Sequence, residues 1–234
     1  MSLALLVSTD PRWGEASGLG AALGKLGFYA VPGWRADALC SIRLVLVDCS
    51  SGAAPKAFQC SDSRLSCPCF AVVPVQLTEG MTDANGVPFD EVVPIPGAAD
   101  EIVAALVRYG YAVFSAEDGQ KIPSQLNELA CGDRSVAQDI ARLLIATNSE
   151  SVVQLQGALG REAPDELRAV AHRLNGSLKM LRCSMLVALA TLVEQAAREQ
   201  NFAFVQSLLY LVADGMDGLN TALGQWSDAS ASGS

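Results

Sequence analysis

Across the first half of the chain, short apolar runs alternate with stretches whose apolar residues recur every three or four positions. The runs Leu3–Val7, Tyr29–Val31, Arg43–Val47, Phe70–Val73 and Glu91–Pro94 predict five strands, the one at Tyr29 being the weakest. Helical spacing covers Glu15–Leu26 and Asp100–Tyr109. Strands alternating with helices in this way predict an α/β fold built on a parallel sheet with crossover helices. Residues 50–69 are rich in Ser, Ala, Cys and Pro, so the third crossover is expected to be short or irregular.

The rhythm changes at Glu117–Ser124, a polar stretch containing Pro123, which predicts a linker. Beyond it almost everything has helical spacing: Leu126–Ala130, Ser135–Thr147, Ser151–Leu159, Pro164–Leu181, Ser184–Glu199 and Phe202–Leu223. Successive helices with short connections predict an all-α antiparallel bundle. Asp133, Ser149 and Ser184 are N-cap candidates, and Pro164 suits a first helical turn. The small, polar Ser227–Ser234 reads as a frayed tail. The expected division is therefore an α/β domain over 1–116, a linker over 117–124, a helical bundle over 125–226 and a flexible tail over 227–234.

Composition narrows the class. Of 234 residues, 50% are hydrophobic and 18% charged, which predicts packed domains rather than disorder. A net charge of -9 argues against partners that are nucleic acids or anionic membranes. No apolar run reaches the roughly 20 residues that span a bilayer. The opening Met1–Val7 lacks a basic flank and Asp10 follows closely, so it reads as a first strand rather than a signal peptide. Seven cysteines, an odd number, fit reduced thiols in the cytoplasm better than a disulfide framework. Cys60, Cys67 and Cys69 lack a CxxC pair and the single histidine is distant in sequence, so no metal site is expected.

That single histidine, His172, carries the sharpest chemical signal. In Pro164–Leu181 the residues Leu167, Ala171, Leu174, Leu178 and Leu181 form one apolar stripe. His172 lies off the stripe, on a side shared with Arg168, Asn175, Gly176 and Lys179. An exposed neutral imidazole is a competent nucleophile, and Lys179 or Arg168 would pair with an added phosphoryl group. Gly176 would leave room beside the ring for another protein to approach. On the residue pattern alone, an ordinary surface histidine beside an incidental glycine remains equally open.

The segment Ala171-His172-Arg173-Leu174-Asn175-Gly176-Ser177, followed by Leu181 and by Leu192-Val193-Glu194-Gln195-Ala196-Ala197, resembles histidine-containing phosphotransfer (HPt) domains. Their usual pattern is AHxLKG followed by a leucine-rich helix ending in LE. Gly132-Asp133 before an apolar helix resembles the family's opening helix pair, so the likeness covers roughly Pro123 to Leu223. It implies that His172 receives a phosphoryl group from one receiver aspartate and passes it to another, the partner receiver bringing its own Mg2+ and this chain binding no cofactor. Asn175 stands where the family usually has lysine, and Arg182 where it usually has glycine. Lys179 is the expected substitute for the missing cation.

The first half resembles, by layout, a response-regulator receiver domain, a doubly wound five-stranded fold. Asp48 falls at the phosphoacceptor position, at the end of the third strand. A working receiver holds magnesium with an acidic pair after strand one; here those positions read Ser8 and Thr9, with Asp10 adjacent. The family's hydroxyl residue aligns with Val73 and its lysine with Ile95 of Ile95-Pro96. With three of four supporting groups absent, Asp48 is not expected to accept phosphate efficiently, and the domain is read as a degenerate, docking receiver.

The leading expectation is thus a phosphotransfer protein of a multistep two-component relay, cytoplasmic, of the kind found at the C-terminus of hybrid sensor histidine kinases. No ATP-binding kinase motif is present, so the chain is a phosphate carrier rather than a self-sufficient enzyme. The alternative is a non-catalytic interaction or scaffold protein of such a system. A hydrolase is disfavoured, because no GxSxG elbow accompanies the lone histidine, and the pairs Asp165 with Glu166 and Glu194 with Glu199 read as solvated helix charges.

Overall fold

The structure, a computed structural model, describes residues 2–33, 42–55, 58, 67–75, 83–84, 87–95 and 99–231. The chain forms two compact units, residues 1–111 and 112–234.

In the first unit, β1 (Ser2–Val7), β2 (Phe28–Pro32), β3 (Ile42–Asp48), β4 (Cys69–Pro74) and β7 (Glu91–Ile95) form one sheet in the order β2-β1-β3-β4-β7. Every pairing in it is parallel. A separate two-stranded ladder joins β5 (Asp83–Ala84) to β6 (Val87–Pro88). All five expected strands are present, in the doubly wound order that reverses direction between β1 and β3. Leu44, Val45, Leu46 and Val47 are all fully buried, which is why β3 reads as a continuous apolar run rather than an alternating one. On one face Leu5, Val7, Val45, Val47, Ala71 and Val73 join a core with Cys49, Ala54 and Phe58.

The helix expected over Glu15–Leu26 is two helices, α1 (Trp13–Ala16) and α2 (Leu19–Lys25). Gly18 takes a φ of 75° between them, a left-handed conformation that breaks the helical run and is open to glycine at little cost. The Ser17 hydroxyl donates to the Trp13 carbonyl at 2.6 Å, closing the first piece. Helix α3 (Ala99–Tyr109) lies where expected and packs on β7 and α2. Half of the third crossover, Cys60 included, lies outside the described residues.

Among the described residues the regular elements of the second unit are all helices: α4 (Ala116–Leu129), α5 (Arg134–Gly160), α6 (Pro164–Met180), α7 (Ser184–Arg198) and α8 (Phe202–Ala231). Helices α5 to α8 pack in a closed ring, α5 on α6, α6 on α7, α7 on α8 and α8 on α5, with α4 against α5 and α8. Three-residue turns connect neighbours within the ring, so consecutive helices run antiparallel. Among the described residues no helix is long and apolar enough to cross a membrane.

Three expectations here need correction. The supposed linker 117–124 is the body of α4, and the boundary between units falls at residues 111–112 instead. Pro123 does cost the helix a backbone bond. It is offset by a reciprocal capping box between Ser115 and Asp118 and by the burial of Ile122 and Leu126. Ser149 caps nothing, because α5 runs unbroken through it: the Ser151 hydroxyl returns to the Thr147 carbonyl at 2.7 Å, and Asn148 and Ser149 both bond Asn220 of α8. The supposed tail is helical as far as Ala231, with residues 232–234 outside the description.

Capping elsewhere follows the sequence in part. The Asp133 carboxylate accepts from the Ser135 and Val136 amides at 2.9 and 3.2 Å. Pro164 opens α6 as expected, whereas Cys183 rather than Ser184 occupies the cap of α7, its side chain making no bond to the helix's first amides. Arg182 adopts a φ of 50° in the turn between α6 and α7. A glycine there would be unstrained, so this departure from the HPt pattern bears on the turn's backbone.

Candidate functional site

The apolar stripe of α6 behaves as its spacing requires: Leu167, Ala171, Leu174, Leu178 and Leu181 are all at most 1% exposed. His172 projects from the opposite side with 82% of its side chain exposed. It lines a shallow depression between α6 and α7 with Asp165, Arg168, Ala169, Glu194 and Arg198. Arg168 is held by Asp165 at 3.1 Å, a pairing within one turn that keeps the guanidinium at the rim.

The imidazole faces the Glu194 carboxylate, 3.4 Å from Nδ1. That is long for a hydrogen bond but well within electrostatic reach. A carboxylate only accepts, so its place beside Nδ1 favours the neutral tautomer that carries the proton there and leaves the Nε2 lone pair bare. The depression thus holds an imidazole poised to act as a nucleophile through one nitrogen.

The other expected residues divide. Gly176 is exposed, and a Cβ built there would meet no heavy atom within 4 Å, so the surface one turn beyond His172 is open. Lys179 is exposed too, seven residues and about 10 Å along the axis from His172. Asn175 is not part of the exposed face. It is only 6% exposed, turned into the α6–α7 seam, where Nδ2 donates to Thr191 Oγ1 at 3.0 Å and approaches Glu194 Oε1 at 3.5 Å. A position three residues along a helix is rotated far enough for the neighbouring helix to cover it, which the single-helix projection does not register.

Glu194, Thr191 and Arg198 were not singled out as site residues by sequence reasoning, which took Glu194 for a solvated charge. The available signal was their spacing of three and four on α7, which aligns all three on one face towards α6.

In the first unit the Val7–Val47 register sets Ser8 beside Asp48 at the carboxyl ends of β1 and β3. The Ser8 hydroxyl donates to Asp48 Oδ2 at 2.6 Å, and the Ser50 amide donates to Oδ1 at 3.1 Å, with the Ser50 hydroxyl bonded to the same oxygen. Asp10 is engaged locally, its Oδ1 accepting from the Arg12 amide at 2.9 Å. Val73 is fully buried in β4 and Ile95 ends β7. Hydroxyls therefore satisfy Asp48 where a second carboxylate would share a cation. Among the described residues no cluster of His, Cys, Asp and Glu has the arrangement of a metal site. Burial, reinforced by Asp48, pushes the neighbouring Cys49 thiol up to about 11.

Residues 139–223 match the family model of the Hpt domain, a span that contains His172, Gly176, Lys179, Thr191, Glu194 and Arg198. No curated protein and no solved structure matches the chain.

Proposed function

We propose that the helical unit carries phosphate on His172, receiving it from one receiver aspartate and delivering it to another within a multistep two-component relay. The observation that carries this reading is an imidazole exposed to solvent whose Nδ1 faces Glu194, inside the span that matches the Hpt model.

Nε2 of the neutral ring attacks the phosphorus of a partner's aspartyl phosphate. A P–N bond forms as the acyl-phosphate P–O bond breaks, and the aspartate leaves as a carboxylate. The proton stays on Nδ1, where the Glu194 carboxylate offsets the positive charge that the ring acquires. The reverse sequence delivers the group to the next aspartate. Mg2+ bound by the carboxylates of the partner receiver would supply charge neutralisation at the phosphoryl oxygens. Arg168, Arg198 and, further along α6, Lys179 add positive potential at the rim. Gly176 keeps the face flat enough for the partner's active-site loops.

The receiver-like unit fits a docking or regulatory role, with Asp48 tied to Ser8 and Ser50 rather than arranged around a cation. The proposed partner is a receiver domain of a response regulator or hybrid kinase, and the proposed location is the cytoplasm. A non-catalytic scaffold is the second reading, favoured by the loss of the family's lysine at Asn175. Incubating the chain with a panel of phosphorylated receivers and magnesium decides between them. The relay predicts acid-labile, alkali-stable label on wild type and none on His172→Gln; no label from any receiver would favour the scaffold.

A further inference from the structure

We infer that Asn175 is a positioning residue that holds the Glu194 carboxylate against His172, with Thr191 as its anchor on α7. The inference rests on the reading of His172 as the phosphate carrier. It turns an apparent loss, the missing lysine of the family pattern, into a different device.

The direction of every bond in the cluster is fixed by chemistry. The Thr191 hydroxyl donates to the Val187 carbonyl at 2.8 Å, so its oxygen is left only to accept. The Glu194 carboxylate also only accepts. Asn175 must therefore turn its NH2 group to both, giving one hydrogen to Thr191 Oγ1 at 3.0 Å and one towards Glu194 Oε1 at 3.5 Å. A flipped amide would set its oxygen against two acceptors, so the orientation follows from the partners. The cost is visible at the other end of the amide, where Oδ1 is buried without a hydrogen-bond partner. A buried amide that leaves its own oxygen unpaired while serving both acceptors is placed for those two bonds.

The result is a chain from Thr191 through Asn175 to Glu194 and on to Nδ1 of His172. A lysine at position 175 would compete with the imidazole for the carboxylate. The neutral amide steadies Glu194 and leaves its charge for the ring. Loss of the brace lets Glu194 swing into solvent, and the imidazole then drifts towards the tautomer that carries its proton on Nε2 and has no nucleophilic lone pair there.

Because the chain has one histidine, 15N-labelled histidine reports on His172 alone. Two-bond 1H–15N spectra of the full chain, taken where imidazole is neutral, should show the Nδ1–H tautomer dominant in wild type and in Thr191→Ser. Asn175→Leu should move the population towards Nε2–H and slow phosphotransfer roughly three- to tenfold, the loss of one modest hydrogen bond. Thr191→Ala, a change on an exposed residue that should fold even if Asn175→Leu does not, should move the spectrum in the same direction by less. Wild-type spectra from both Asn175→Leu and Thr191→Ala would overturn the inference. Spectra that shift as expected in a protein no receiver can phosphorylate would instead remove the relay reading and leave the brace standing.

Discussion

Gly176 separates what is good for the fold from what is good for the proposed transfer. It sits inside α6, exposed, and a methyl group added there meets no heavy atom within 4 Å. Glycine in a helix interior is about 1 kcal/mol less favourable than alanine, and nothing nearby would resist the substitution. Gly176→Ala should therefore stabilise the helical unit by about 1 kcal/mol, raising its melting temperature by roughly 3–6 °C, between the responses of smaller and larger domains. In the proposed relay the same open space is where the receiver would approach His172. A long side chain, as in Gly176→Gln, should also fold normally but slow transfer more than tenfold, equivalent to about 1.4 kcal/mol of lost docking. Thermal denaturation by circular dichroism and phosphotransfer rates from one receiver, measured on both variants, provide the check. A lower melting temperature for Gly176→Ala would mean that the site is not open. Wild-type transfer by a well-folded Gly176→Gln would mean that the partner docks elsewhere.

Asn220→Ala should cost about 1–3 kcal/mol in urea denaturation, because Asn148, 1% exposed, would lose the acceptor of its 3.0 Å bond. Replacing Asn148 and Asn220 together by leucine should recover much of that, since no polar group is then stranded. Burial, with Asp118 adding to it, pushes the Cys183 thiol from 9.0 up to about 12. The unfolded chain then releases this proton first, so the contribution to stability is complete below pH 9 and is lost as the pH climbs towards 12. Denaturation midpoints of the helical unit should fall over that window, and fall less in Cys183→Ala; equal slopes would refute the assignment. Asp48→Ala should destabilise the first unit by about 1 kcal/mol, because it removes the acceptor of the part-buried Ser8 hydroxyl, while the exposed Ser50 donors turn to water. It should leave the label acquired from a phosphorylated receiver unchanged, and loss of that label would make Asp48 a phosphate carrier after all.

Much of the architecture is legible in the pattern of residues, and the misreadings share a physical origin. The apolar runs Leu3–Val7 and Leu44–Val47 stand out because strands buried on both faces of a parallel sheet are apolar along their length. The stripe from Leu167 to Leu181 stands out because one face of α6 is buried along its whole length. Pro123 and Ser149 misled because their local preferences favour breaks and caps, while their partners for a helical course lie in other turns or on α8. Asn175 and Glu194 misled in the same way. Each looks like a solvated polar residue on its own helix, and only the packing of α6 on α7 sets the amide and the carboxylate beside the imidazole. Positions whose role depends on one helix are readable from spacing, whereas those whose role is created between two helices are not.

The most direct test of phosphate carriage is 31P and 15N NMR of the chain after transfer from a phosphorylated receiver, with 15N in its single histidine. The account predicts one phosphoryl group per chain, bonded to Nε2 of His172, with the proton retained on Nδ1. A phosphoryl group on Nδ1, or on Asp48 with His172 unmodified, would contradict it.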